Sequence, residues 1–208
     1  MLILKQVFIT RKVLISILCV AIPALLFYAL SVFMLTSSGF TLAEILRDPA
    51  QQTGLSSFLG FVSNIGVWLW VSSAAICFYS VVTNPWAGSK SLSEFMLLMG
   101  LLSLLLAVDD FFLLHERYVY QKGIFLFYAI CALTLLIRHY RKIMKIDAFT
   151  FLFAGLLLAC SVEIDINQRK FPFEYAYVQL MEEGFKFVGA AIWLFFVGQA
   201  ASFPRPEN

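Results

Sequence analysis

Six stretches of the chain stay apolar for long enough to cross a hydrocarbon core, which takes about 20 residues of helix. They run over about 13–36, 57–82, 91–116, 122–138, 147–165 and 174–200. Most connections are short. TNPWAGSKS and NQRKFP have the composition of turns. The longest connection lies between the first two stretches and carries TLAEILRDPA, which reads as a short surface helix ended by Pro49. Pro23 marks a kink point in the first stretch. No internal repeat is visible, so the pattern lacks the inverted halves of many secondary transporters. The predicted fold class is all-α: a single transmembrane domain, residues 1–208, built as a polytopic bundle of six helices.

Composition agrees with the pattern. Of 208 residues, 61% are hydrophobic and only 13% charged, against roughly 25% charged in a soluble domain. The net charge of +2 and the lack of a basic stripe argue against a nucleic-acid partner. Cys19, Cys77, Cys131 and Cys160 sit in apolar runs with no CxxC spacing, so they read as packing residues. The same holds for the 22 phenylalanines and for Trp68, Trp70, Trp86 and Trp193. The N-terminal MLILKQVFITRK leads into an apolar run with no A-x-A-like site, which reads as a retained first helix.

Charge then orients the bundle. One side would carry Lys5, Arg11, Lys12, Lys90, Arg138, Arg141, Lys142, Lys145 and Arg205, and the other Arg47, Arg117, Lys122, Arg169 and Lys170. The positive-inside rule puts both termini in the cytoplasm. RHYRKIMK, read as a cytoplasmic loop that includes His139, decides most of this. In a bacterium the membrane would be the inner one.

Candidate chemistry gathers in the outer half. Asp109 and Asp110 would lie roughly 10 Å deep, and Glu182 and Glu183 roughly 12–13 Å, at about 1.5 Å per helical residue. Asn64 falls at a similar depth, with Ser161, Glu163 and Asp165 nearer the surface. The inner halves, such as FMLLMGLLSLLLA and VGAAIWLFFVG, offer no ionisable chain. The pattern describes a polar pocket open outward and closed below. Asp109 and Glu116, seven apart, would share a helical face, with His115 and Asp110 to either side. Glu182 and Lys186 have the favourable i,i+4 order for an ion pair.

Each charge inside a span costs at least about 2.5–3.5 kcal/mol. Four deep carboxylates facing one lysine therefore call for protons, water or a metal cation. Asp109, His115, Glu116 and Glu182 are the candidate metal ligands. Histidine with carboxylates suits zinc, iron or manganese, and carboxylates alone suit calcium or magnesium. Glu183 or Asp110 would serve as general base. Lys186, Asn64, Ser161 and Asp165 would support the site. With only two histidines, a three-histidine zinc site cannot form within the chain.

LAVDDFFLLHE, SVEID and MEEGFKFVGAAIW together resemble a group of small bacterial integral membrane proteins of uncharacterised activity. The matching positions are Asp109, Asp110, His115, Glu116, Glu182, Glu183, Gly184, Lys186 and Gly189. A remote analogy to alkaline-ceramidase-like membrane hydrolases implies zinc chemistry near one membrane face. The chain departs from them in having six spans and no final His-x-x-x-His pair.

Three functions follow as alternatives. The first is a metal-dependent hydrolase of a lipid or lipid-linked substrate that enters sideways from the membrane lipids. The second is a protein that binds or transports a cation or proton. The third is an accessory subunit whose acids pair with basic residues of partner membrane subunits.

Overall fold

The computed structural model describes residues 18, 21–47, 49–56, 58–83 and 90–203. The start of the first span, Cys19, Trp86, the middle of TNPWAGSKS, and Lys5, Arg11, Lys12 and Arg205 lie outside the described residues. Among the described residues the secondary structure is helical, with no strand. The chain divides into two compact units, Met1–Leu59 and Gly60–Asn208.

In the first unit, α1 spans Ile22–Ser37, with Pro23 in its first turn, where a missing N–H costs nothing. The short α2, Leu42–Leu46, starts in a capping box: Thr41 accepts from the Glu44 N–H while the Glu44 carboxylate accepts from the Thr41 N–H. Pro49 does not simply end this segment. It opens another short helix, α3, Pro49–Thr53.

Among the described residues the second unit holds five helices long and apolar enough to cross a membrane, the character of an integral membrane protein. They are α4 (Phe61–Thr83), α5 (Lys90–Phe112), α7 (Gln121–Ile146), α8 (Ala148–Asn167) and α9 (Tyr175–Ala201), with the four-residue α6 (Leu114–Arg117) after α5. Helix α4 packs along α5, α8 along α9, and α9 also against α4, while α7 touches α5 and α8 more sparingly. In lipid, such packing rests on close fit and buried hydrogen bonds more than on expulsion of water. At Gly100 an added Cβ would come within 2.9 Å of Cys77 Cβ, so the glycine lets α5 approach α4. Trp193 Nε1 donates to Ser103 Oγ at 2.9 Å, and Ser103 donates to the Met99 carbonyl, which ties α9 to α5.

Two boundaries differ from the sequence reading. The span predicted over 91–116 stops at Phe112, because Leu113 turns left-handed at φ 53° and ψ 44°. The span predicted over 122–138 is followed, across a kink at His139 (φ −118°, ψ 18°), by further helix to Ile146, so most of RHYRKIMK is helix rather than loop. Its charges find partners that allow this. Arg138 pairs with Glu94 at 2.6 Å, and Lys142 donates to Ser91 Oγ and lies 2.9 Å from His139 Nδ1. His139 is accordingly buried, on one face with Leu135 and Ile143 at i, i+4 and i+8. One residue, Asp147, then separates α7 from α8. Its extended backbone ends one helix, and its carboxylate caps the next by accepting from the Thr150 N–H at 3.0 Å.

Candidate functional site

A cavity of about 600 Å³ lies among the helices of the second unit. Most of its wall is apolar, from Leu102 and Leu106 on α5 to Phe125 and Leu136 on α7 and Leu152 and Leu158 on α8. Polar side chains collect where the end of α5, the end of α8 and the first half of α9 meet. They are Asp109, Asp110, His115, Ser161, Glu163, Asp165, Glu182 and Lys186.

The left-handed turn at Leu113 creates much of this arrangement. Such a conformation costs a non-glycine residue about 1–2 kcal/mol. Asp109 offsets it: its Oδ1 accepts from the His115 N–H at 2.9 Å, and its Oδ2 lies 3.0 Å from His115 Nδ1. The ring nitrogen approaches off the line of a hydrogen bond, so this second contact is electrostatic. Phe125 covers the imidazole, with ring centroids 5.3 Å apart. The Tyr128 hydroxyl also faces Asp109.

Asp110 is held differently. Its Oδ2 accepts from Trp70 Nε1 at 3.2 Å, and its Oδ1 lies 3.6 Å from Lys186 Nζ. Lys186 makes its closer pair, 2.6 Å, with Glu183. Asp165 accepts from Gln121 Nε2 at 2.8 Å, and Glu163 accepts from Asn167. Glu182 also lines the cavity. Among the described residues it is the one acid of the wall that makes no hydrogen bond or ion pair. Asp165, Lys186, Glu183 and His115 all bear on it electrostatically.

Several expectations change here. Asp109 and Glu116 do not share a face, since the turn at Leu113 folds His115 back into the wall and leaves the Glu116 side chain 55% exposed, 3.8 Å from His115 Nε2. The expected Glu182–Lys186 pair gives way to Glu183–Lys186–Asp110, because Lys186 reaches across to α5. Asn64 is exposed and lines a separate apolar groove with Trp68 and Phe111. Ser161 and Asp165 are buried in the cavity wall. Among the described residues, no group of three or more His, Cys, Asp or Glu side chains stands together as a metal site. Cys77, Cys131 and Cys160 are free thiols.

Trp70, Tyr128 and Gln121 were not singled out from the sequence as site residues. A buried indole N–H needs an acceptor, which was the available clue for Trp70. Nothing comparable marked Tyr128 or Gln121.

Fold and site together define a helical integral membrane protein with a cavity that is apolar along its length and acidic at one end. The chain belongs to the family described as Domain of unknown function (DUF8692), whose model matches residues 14–200. No curated protein matches it, and no solved structure does.

Proposed function

We propose that this chain is a six-span protein of a bacterial inner membrane, with α1 in the further span and both termini in the cytoplasm. Its cavity lies in the outer half of the bilayer and binds a cationic group on Glu182. The carrying observation is the accounting of charge around the cavity. Asp109 is taken by His115, Asp110 by Trp70 and Lys186, and Asp165 by Gln121, which leaves Glu182 with no hydrogen bond or ion pair among the described residues. An ionisable side chain inside a span marks function by default, because its cost needs a return.

The test is a thermal-shift series on the purified full chain with manganese, zinc, calcium or dodecylammonium. One of these cations stabilises the wild type, by about 2.7 kcal/mol at a hundredfold excess over Kd. Glu182→Gln loses that gain. Elemental analysis beside it separates a bound metal from an organic cation. If no cation stabilises the wild type, the reading falls.

A second reading adds hydrolysis of a lipid or lipid-linked substrate at the same site. The Asp109–His115 contact favours it. The carboxylate fixes the residue through its N–H and lies against Nδ1, leaving Nε2 as the nitrogen to exchange a proton.

A further inference from the structure

Helix α7 buries side chains in the bundle by one half only, although Gln121 at its start donates to Asp165 on α8. Its buried residues are Leu135, His139 and Ile143, and none of residues 121–134 is buried. The ion pair and hydrogen bonds to α5 likewise come from the second half, at Arg138 and Lys142. The first half still forms a wall of the cavity, through Phe125, Tyr128, Ala129 and Ala132 at i, i+3, i+4 and i+7. Opposite them on α8 stand Gly155 and Ala159, and a Cβ added at Gly155 would meet nothing within 4 Å. Ala129, Ala132, Gly155 and Ala159 line the cavity and are nevertheless exposed, so the wall is open along this seam. Small residues on both helices, apolar neighbours and an open side make an apolar slot. The slot ends at the acids.

We propose that the slot between α7 and α8 holds the chain of a single-chain cationic amphiphile, which enters sideways from the lipid and sets its ammonium group on Glu182. This rests on the reading of Glu182 given above and adds the ligand class and its route. The volume of about 600 Å³ is within the range of ligand pockets, about 300–1,000 Å³. The excess of acid over base in the wall selects a positive head.

The experiment uses the full chain in nanodiscs with a long-chain alkylamine carrying a photoactivated diazirine in mid-chain, and reads labelled residues by mass spectrometry. Labels are expected on Phe125, Tyr128, Ala129 and Ala132 in preference to Leu126, Phe127 and Ile130, which lie on the same turns outside the cavity wall. Gly155→Leu puts a side chain into the slot and should cut the slot labelling about tenfold, the worth of roughly two buried methylenes. Ala129→Leu is the second filling variant, and a wild-type melting temperature certifies the fold of either. Glu182→Gln should reduce labelling by the amine and not by the matching alcohol. Equal labelling of both faces of α7 overturns the slot. Slot labelling that is the same for amine and alcohol, and indifferent to Glu182→Gln, keeps the slot but overturns the cationic head, and the proposed function with it.

Discussion

The two ends of the five-helix unit handle polarity in opposite ways. At one end Phe95, Phe151, Trp193 and Phe196 pack with ring centroids 5.2–6.4 Å apart. There three charges have local partners: Arg138 on Glu94, Lys142 on Ser91 and His139, Asp147 on Thr150 and Gln199. Toward the other end a cavity opens beside this cluster, with Phe151 and Trp193 in its lining, and Asp109, Asp110, Glu163, Asp165 and Glu182 share its wall with one lysine. Polar groups at the packed end hold helices together. Those at the cavity end exceed what holding requires, and that surplus separates a site from a structural network.

The sharpest way to break this comparison is to remove the central cation. Lys186 is 23% exposed and Asp110 13%, so Lys186→Met strands Asp110 with little water to replace the ammonium, while Glu183, 35% exposed, can be rehydrated. Breaking a buried pair from one side costs about 3–5 kcal/mol, which is the upper bound for this partly buried one. The matching change at the packed end, Arg138→Met, removes a pair whose members are 58% and 38% exposed. Exposed pairs contribute about 0–1 kcal/mol. Thermal unfolding of both variants in one detergent checks the contrast. Asp110→Asn added to Lys186→Met should recover part of the loss, and equal costs at the two ends would remove the distinction.

Much of the cavity end was legible in the sequence, for a physical reason. Charged residues inside apolar runs are costly enough that their positions alone mark a shared layer. Asp109, Asp110, Glu182, Ser161 and Asp165 do line one cavity. Their pairing was not legible. Lys186 lies one turn from both Glu182 and Glu183 on its own helix, and the choice is made by where Asp110 sits on another. Nor did the sequence announce the end of α5. Leucine is a good helix former, yet Leu113 turns left-handed where Asp109 captures His115 beyond it. The continuation of α7 was hidden too, since RHYRKIMK reads as a basic loop until Glu94 and Ser91 are in place to receive Arg138 and Lys142.

Two glycines sharpen the comparison at intermediate cost. An added Cβ at Gly189 would lie 2.9 Å from Leu158 Cγ, between tightly packed α8 and α9, whereas Gly155 has open space on the cavity side. Gly189→Ala overfills a packed seam and should lose about 1–3 kcal/mol. Gly155→Ala meets no neighbour, and a helical alanine gains about 0.5–1 kcal/mol over glycine. Opposite signs in the two melting shifts are the expected result. A loss at Gly155 as large as at Gly189 would mean that α7 closes the slot.

The smallest effect tests the packed end through its cap. Bonds from the Thr150 hydroxyl, and then from the Thr150 N–H, hold the Asp147 carboxyl below the usual carboxylate range, against a lesser upward push from desolvation. Gln199 Nε2 adds a bond at 3.3 Å. A carboxylate depressed in the folded state contributes stability that is full above its unfolded value, about 3.9, and is lost as pH falls through the lowered one. Asp147→Asn keeps a capping side chain and removes the titration. The stability gap between wild type and variant should therefore be open near neutral pH and close as pH falls below about 4, where Asp147 of the unfolded chain begins to take up a proton, until the folded cap protonates at its lowered value. Parallel melts across pH measure that gap directly. A gap that stays constant into acid would mean that the cap works through hydrogen-bond geometry alone. The charge of Asp147 would then be incidental, and the packed end less dependent on matched charge than the contrast with the cavity end requires.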